Sequence, residues 1–513
     1  MTTLKRRTFL SAGAAAALGT VSGIAQAKSF DPMPAQWDEN FDVIVIGSGF
    51  AGLAAACEAK NQGAGNVIVL EKMRSAGGNS VINGGIMSVP GSAFQKTLGI
   101  KDSPELLAED MIREGLGYNY PEKVRAMTKA ALPTYEWLVK EIGVEFVDGK
   151  VGQEGGHSVP RHVYTTNGSG SGIVSKQLEY AKKIGVPVRL RCYVEAIIRD
   201  SDGRVKGVKV RDGYRFGKPD SGKVKYLKAG KALVLCYGGF GADVNFRMKF
   251  DPKLTDKFET TNQPGATSEL WREASRIGCN MIQTDWIQCG PWNSPEEKGM
   301  GIALYFAQGA AATMGIWVNT ATGKRFINEL ANRKVRADAV INNNNKGQPC
   351  IALADQNAVD LTINQTRKGI LDKQLERKVV HKFDTLEAVA AEYKIPLDEL
   401  KKTIDAYNAA LAKQSGDEMG RPFTKNAKPM GTGPWYCSLL SPKVHHCMGG
   451  VETNSLGQVI DISTDKPIPG LYAAGESTGG VHGAVRLGSC ATMDCLVNGR
   501  IAGANAAKES AWS

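Results

Sequence analysis

The first informative block of the chain is Phe41 to Ile46, a continuous apolar run that enters a glycine-rich turn. An alanine-rich helical stretch follows from Ala51 to Gln62, and then a second short apolar run, Val67 to Leu70. That order predicts strand, turn, helix, strand. Further on, Val188–Arg191, Val194–Arg199 and Val205–Val210 predict a meander, with Ser201-Asp202-Gly203 as a turn. Ala232–Cys236 reads as another buried strand running into Gly238-Gly239, and Gly470-Leu471-Tyr472-Ala473-Ala474-Gly475 repeats the theme. Between about 286 and 445 the texture turns helical. Over Pro396–Leu411, for example, Leu397, Leu400, Ile404 and Leu411 recur at helical spacing. This region is predicted to be an inserted second domain.

A chain of 513 residues exceeds one core and divides into two or three domains. Its 42% hydrophobic and 22% charged residues are ordinary for a globular protein, while 59 glycines suggest several close approaches of backbone to ligand. Residues 1–27 read as an export signal: Lys5, Arg6 and Arg7 precede Phe9-Leu10, and an alanine-rich stretch ends at Ala25-Gln26-Ala27. The Arg6-Arg7 pair resembles a twin-arginine signal, whose route carries proteins already folded around a cofactor. Cleavage after Ala27 gives a periplasmic protein. It also removes three positive charges and no negative ones, so the net charge falls from +11 to +8. A basic surface suits an anionic substrate or an acidic redox partner, or is simply a solvated excess. No motif supports nucleic-acid binding or a metal site. Several of the ten cysteines, Cys57, Cys236, Cys289, Cys447 and Cys490 among them, sit in apolar or glycine-rich contexts, and most of the ten read as buried thiols. No CxxCH occurs, so a c-type haem has no attachment site and electrons must come from a separate donor.

Gly47-Ser48-Gly49-Phe50-Ala51-Gly52 matches GxGxxG after a strand and at the head of a helix. Such glycines permit the tight turn, let backbone approach a pyrophosphate and allow close helix packing, while the helix N-terminus stabilises phosphate charge. Glu71, 19 residues beyond Gly52 at the end of the next strand, stands where an acid bonds a ribose hydroxyl. FAD is favoured over NAD by three glycine-bearing segments downstream: Gly77-Gly78-Asn79-Ser80 to Gly84-Gly85, then Gly238-Gly239, then Gly475-Glu476.

With these residues in order, the chain from about 38 to 507 resembles the flavoprotein of the soluble fumarate reductase (flavocytochrome c) family, nearer its urocanate-reductase-like members than true fumarate reductase. The resemblance implies an α/β fold, a Rossmann-type FAD-binding domain (38–285 and 446–513) with an inserted α+β capping domain (286–445). It implies FAD contacts at Glu71, Asn79, Val194, Glu269, His446, Glu476, Ala491 and Thr492. Gly47, Gly49, Ala51, Gly52, Lys72, Ser80, Gly84, Gly85 and Gly239 are expected to line the same site. Membrane-bound relatives attach flavin through a histidine after the ribose acid. Residues 71–90 contain none, so FAD is expected to be noncovalent.

Reducing an activated alkene needs a hydride from flavin N5, a proton, and positive groups where charge accumulates on the substrate carboxylate. Val444-His445-His446-Cys447-Met448-Gly449-Gly450 and Gly480 to Gly488 resemble the family's substrate motifs, which implies that His445 and Arg486 hold the carboxylate with Ser489 beside them. Gly323 to Arg333 resembles the motif of the proton donor and places that role on Arg333. If Glu329 onward is helical, Arg333 shares an inward face with Leu330, Ala337, Val340 and Ile341, and an inward arginine needs an anion or a ligand.

In fumarate reductase a histidine and a Thr-Glu pair hold a second carboxylate, and that Glu leads with another arginine to the proton donor. The corresponding positions here are Gly290, Ala307, Gln308 and Ala311. The expected substrate is therefore a monocarboxylate with a bulkier or aromatic tail, with Trp292 in the core or beside the pocket. Arg336, Glu329 or water is left to reprotonate Arg333. The donor is expected to be a c-type cytochrome or a membrane quinol-linked cytochrome, the role that of an anaerobic respiratory reductase. An FAD-dependent dehydrogenase or oxidase of the same fold, a true fumarate reductase and a flavin-bearing electron-transfer subunit are the competing readings.

Overall fold

The computed structural model describes residues 32–512 apart from 368, 414, 415, 424 and 425. The signal expected at 1–27 lies outside the described residues.

An eight-stranded sheet forms around the first apolar run. Glu39–Ile46 is its central strand, parallel to Val67–Leu70 on one side and to Lys223–Leu235 on the other. Pro467–Ala473 continues the parallel set beyond Lys223–Leu235. All four residues of Val67–Leu70 are buried, as both-face coverage of a parallel sheet requires. The strand Lys223–Leu235 serves two partners: its first half pairs antiparallel with Val205–Asp212, and its last residues run beside Val43–Ile46. The meander is therefore Cys192–Arg199, Val205–Asp212 and Lys223–Leu235. Val188–Arg189 is not part of it but pairs parallel with Val67–Leu70, because the chain turns at Arg191, whose φ is 55°.

Two helices cover one face of this sheet, Phe50–Asn61 and the C-terminal Cys490–Lys508. They pack backbone to backbone. A Cβ on Gly499 or Gly503 would overlap the main chain at Ala51 or Ala55, so only glycine allows this approach. The close fit fixes where the first turn of Cys490–Lys508 stands, and hence Ala491 and Thr492.

The segment between the two halves of the sheet is not helical throughout. It contains a five-stranded antiparallel sheet in the order Lys324–Arg325, Ile316–Asn319, Cys350–Asp355, Trp435–Leu440, His381–Phe383, flanked by helices. Helix Leu397–Lys413 buries Leu400, Ile404, Tyr407 and Leu411, and Tyr407 fills the gap left in the apolar spacing. The outgoing and returning chains meet in two antiparallel ribbons, Met281–Ile282 with Gly450–Val451 and Ile287–Gly290 with Lys443–Cys447. Among the described residues no helix is long and apolar enough to cross a membrane. All ten cysteines are free and nine are buried.

Candidate active site

Strand Glu39–Ile46 ends at Gly47, whose φ of 102° suits glycine, and the chain enters helix Phe50–Asn61 at Gly49. Gly52 lies against the Gly47 carbonyl with no room for a side chain. Gly47, Gly49 and Ala51 line a cavity of about 130 Å³ together with Glu71, Lys72, Val194, Gly239 and Glu269. Glu71 accepts from the Ser48 hydroxyl at 2.6 Å and the Met73 amide at 2.9 Å, which fixes its carboxylate at the strand end. Lys72 pairs with Glu269 at 3.2 Å across the cavity mouth.

Asn79, Ser80 and Glu476 line this cavity and also a second one of about 840 Å³, so the two meet there. Asn79 is held by Asn262 at 2.6 Å and by the Gln263 amide at 2.7 Å, while the Ser80 hydroxyl accepts from the Phe50 amide at 3.0 Å. Gly84, His446, Ala491 and Thr492 line the larger cavity. Gly85 stands behind its wall, packed on Ser169. An elongated cavity pair that opens at a glycine turn, passes a helix N-terminus and ends among polar groups fits an extended dinucleotide. Among the described residues the buried His446 Nε2 and Arg486 Nε have no hydrogen-bond partner, and they supply unmet polar capacity on the wall of the larger cavity, as a bound cofactor and substrate would require.

The remaining predicted residues converge on the larger cavity: Arg333, His445, Arg486 and Ser489 all line it. His445 and His446 are neighbours on strand Lys443–Cys447, and both reach the larger cavity. His445 Nδ1 lies 2.8 Å from the Thr261 hydroxyl; with the hydroxyl proton directed there, Nε2 keeps its own proton as a donor. Burial drives His445 well below the usual imidazole value, and the charges of Arg486 and Arg333 act the same way, so it is neutral. Burial also pushes the Arg486 guanidinium down to about 9, with Arg333 adding to the fall. Two guanidiniums that disfavour each other's charge are relieved by an anion placed between them. Ser489 sits in the left-handed region, φ 57°, at the N-terminus of Cys490–Lys508, and its hydroxyl is 2.6 Å from that of Ser88. Burial raises Glu476 to about 7, against the lowering effect of a hydrogen bond from the Cys447 amide.

Helix Arg333–Asn345 begins at Arg333 rather than at Glu329, because the Asn332 side chain caps it through the Val335 amide at 3.0 Å. Arg333, Arg336, Ala337 and Val340 are its buried residues, so Arg333, Ala337 and Val340 share the inward face as expected, while Leu330 precedes the helix and Ile341 is only half-buried. Trp292 is both core and cavity wall. It is 2% exposed, lies 4.5 Å from the Arg333 guanidinium and meets His445 edge-on at 6.0 Å, so it spaces these two groups. Gln308 lines the same cavity, with Ala307 and Ala311 buried beside it.

Among the cavity residues that escaped sequence reasoning, Glu154 is the one bonded to the expected proton donor. Glu154 accepts from Arg333 Nη2 at 2.6 Å, from a loop with no periodicity to betray it. The only sequence trace is an acid next to Gly155-Gly156.

Residues 42–492 match the FAD binding domain family, and the chain belongs to it: it is an FAD-dependent oxidoreductase of fumarate-reductase-like type. It is 39% identical over 501 residues to the acrylate reductase flavoprotein subunit of Shewanella woodyi, covering 97% of each chain. It is 34% identical over 482 residues to a urocanate reductase of Eggerthella lenta, covering 94% of this chain and 77% of that one. The open conformation of a flavocytochrome c3 fumarate reductase superposes with a TM-score of 0.72 at 30% identity, covering 92% of this chain and 79% of that one.

Proposed function

We propose that this protein reduces the carbon–carbon double bond of an α,β-unsaturated monocarboxylate. FAD, when bound, supplies the hydride. Arg486 and His445 hold the carboxylate, Ser489 contacts the substrate, and Arg333 donates the proton to the α-carbon. The observation that carries this reading is the charge balance of the larger cavity. Lys150, Arg333, Arg336, Arg367, Lys373 and Arg486 line it against only Glu154 and Glu476 among the described residues, so the cavity attracts an anion. Met300, Leu304, Met314, Leu330 and Ile363 add apolar wall to the same cavity, and Gln308 offers no charge to a second carboxylate. The relatives named for acrylate and urocanate, acids with one carboxylate, support the same class.

The finer assignments belong to this reading: noncovalent FAD, a 38–285 and 446–513 cofactor domain capped by 286–445, export by way of residues 1–27, and a separate cytochrome as electron donor in anaerobic respiration. Steady-state rates with reduced methyl viologen on acrylate, urocanate, cinnamate and fumarate test it. The expected order places at least one monocarboxylate far ahead of fumarate; faster turnover of fumarate than of every monocarboxylate rejects it. Acid precipitation should release the flavin, and efficient direct use of NADH would remove the cytochrome from the scheme.

A further inference from the structure

Arg333 must regain a proton after each turnover, and the structure narrows what can return it. Glu329 is fully buried and occupied: Arg325 donates to it at 2.8 and 2.7 Å, Arg421 at 3.1 Å and the Trp317 amide at 3.0 Å. Arg336 donates Nη1 to the Glu329 main-chain carbonyl at 3.0 Å. Gln308 is an amide and cannot exchange a proton as a carboxyl does.

We propose that Glu154 is the proton relay to Arg333, a role that rests on Arg333 being the proton donor. Its Oε2 is 2.6 Å from Arg333 Nη2, and 19% of its side chain is open to the larger cavity, so one carboxyl touches both the guanidinium and the route to water. The loop is placed for this contact. A Cβ on Gly488 would overlap Glu154 Oε2, so a glycine in the expected substrate segment leaves the space that the carboxylate fills. His157 anchors the loop to the same segment through the Gly488 carbonyl at 3.0 Å, and its Nδ1 is held by Arg161 at 2.9 Å.

The charged and titratable groups around the carboxyl are Arg333 and Arg336 from helix Arg333–Asn345, with Arg486 and His445 across the cavity. From its own side come His157, His162 and Tyr164. Burial opposes ionisation of Glu154, but the charge of Arg333 and its hydrogen bond outweigh it and hold the carboxyl at about 2. Burial keeps His157 and His162 low, at about 4 and 3, so neither competes as a cation. Once Arg333 has given up its proton, the main influence depressing Glu154 is gone and its proton affinity rises at the moment a relay is needed. Atoms and electrons balance over the cycle. One C–H bond forms at the β-carbon with the hydride that reduced flavin supplies, and the π electron pair takes the Nη proton of Arg333 at the α-carbon. The Glu154 carboxylate then takes a proton from water in the cavity and passes it to neutral Arg333, which leaves both groups charged as they began.

The test separates the first turnover from the later ones. In stopped flow, pre-reduced wild-type, Glu154→Gln, Glu154→Asp and Arg333→Ala holoenzymes are mixed with acrylate or cinnamate, and steady-state rates are measured with excess reduced methyl viologen. Glu154→Gln starts with Arg333 protonated. Its first turnover should stay within about threefold of wild type, while its steady-state rate falls tenfold or more and gains a larger solvent deuterium isotope effect. Glu154→Asp should recover part of the loss. Affinity for a saturated acid such as propionate, read from the flavin absorbance, should be unchanged, because Arg333 stays in place. Equal slowing of both phases with weakened propionate binding would mean a merely structural ion pair and overturn the relay, as would an unaltered steady state. Arg333→Ala guards the underlying reading: if it retains rapid first turnover, Arg333 is not the donor and the proposed function fails on its own account.

Discussion

Arg486 and Glu476 share a cavity but make opposite statements about charge. Arg486 remains cationic at neutral pH although burial and Arg333 lower it to about 9, so its charge is held in readiness for an anion. Replacing it by methionine keeps the volume and removes the charge-assisted hydrogen bonds, worth about 1.5–3 kcal/mol. Arg486→Met should therefore weaken binding of the substrate or a saturated acid by about 10- to 100-fold, measured as KM and as Kd, with flavin content retained. Glu476 is a carboxyl raised by burial from 4.5 to about 7. Between those two values the unfolded chain has lost this proton and the folded chain has not, so stability falls as pH rises through that window and levels off above it. The decline from this one group is about 3 kcal/mol. Denaturant titrations of the apoprotein across pH 4.5–7.5 should show it, and Glu476→Gln should remove it. A Glu476→Gln protein with the wild-type slope would assign the decline to other groups.

The elements were legible where burial imposes a period. Val67–Leu70 and the strand ending at Ile46 stand out because a two-sided parallel sheet demands unbroken apolar runs, and Leu400, Ile404 and Leu411 mark their helix because one face is buried. Helix Arg333–Asn345 starts four residues after Glu329, since a local cap at Asn332, not the hydrophobic pattern, decides it. The inward face was still right, because Arg333, Ala337 and Val340 keep their mutual spacing wherever the helix begins. Glu154 was invisible for a different reason: its partner lies 179 residues away, and a loop contact of that range leaves no local pattern. The pairing of Phe50–Asn61 with Cys490–Lys508 is likewise long-range, yet Gly499 and Gly503, four apart on one helix face, are its trace. Gly503→Ala gains helix propensity but must push Ala55's backbone away, and overpacking of this kind costs about 1–3 kcal/mol. The expected outcome is a lower unfolding midpoint and weaker FAD retention, since Ala491 and Thr492 move with the helix. An alanine variant as stable as wild type would show that the two helices part without cost.

At the scale of the whole molecule, the residues assigned to one small anion come from both sides of the joint between the two sheets. Arg486 and Ser489 belong to the segment leading into Cys490–Lys508, His445 to the returning ribbon strand, and Arg333 to a helix packed with the five-stranded sheet. On the proposed reading, a carboxylate bound among them would link the larger sheet noncovalently to the segment that carries the five-stranded sheet. Two narrow ribbons are otherwise the direct strand connection there. Any ligand that binds only this assembled arrangement stabilises it by mass action, by about 2.7 kcal/mol at a hundredfold excess over Kd. The holoenzyme should thus gain several degrees in Tm with a saturating, unreactive monocarboxylate such as propionate, measured by following flavin release on heating. Arg486→Met and Arg333→Ala should each abolish most of the gain, although they lie on opposite sides of the joint. Loss of the shift in only one of the two variants would mean that the acid is held from a single side and that the insert closes over it without gripping it.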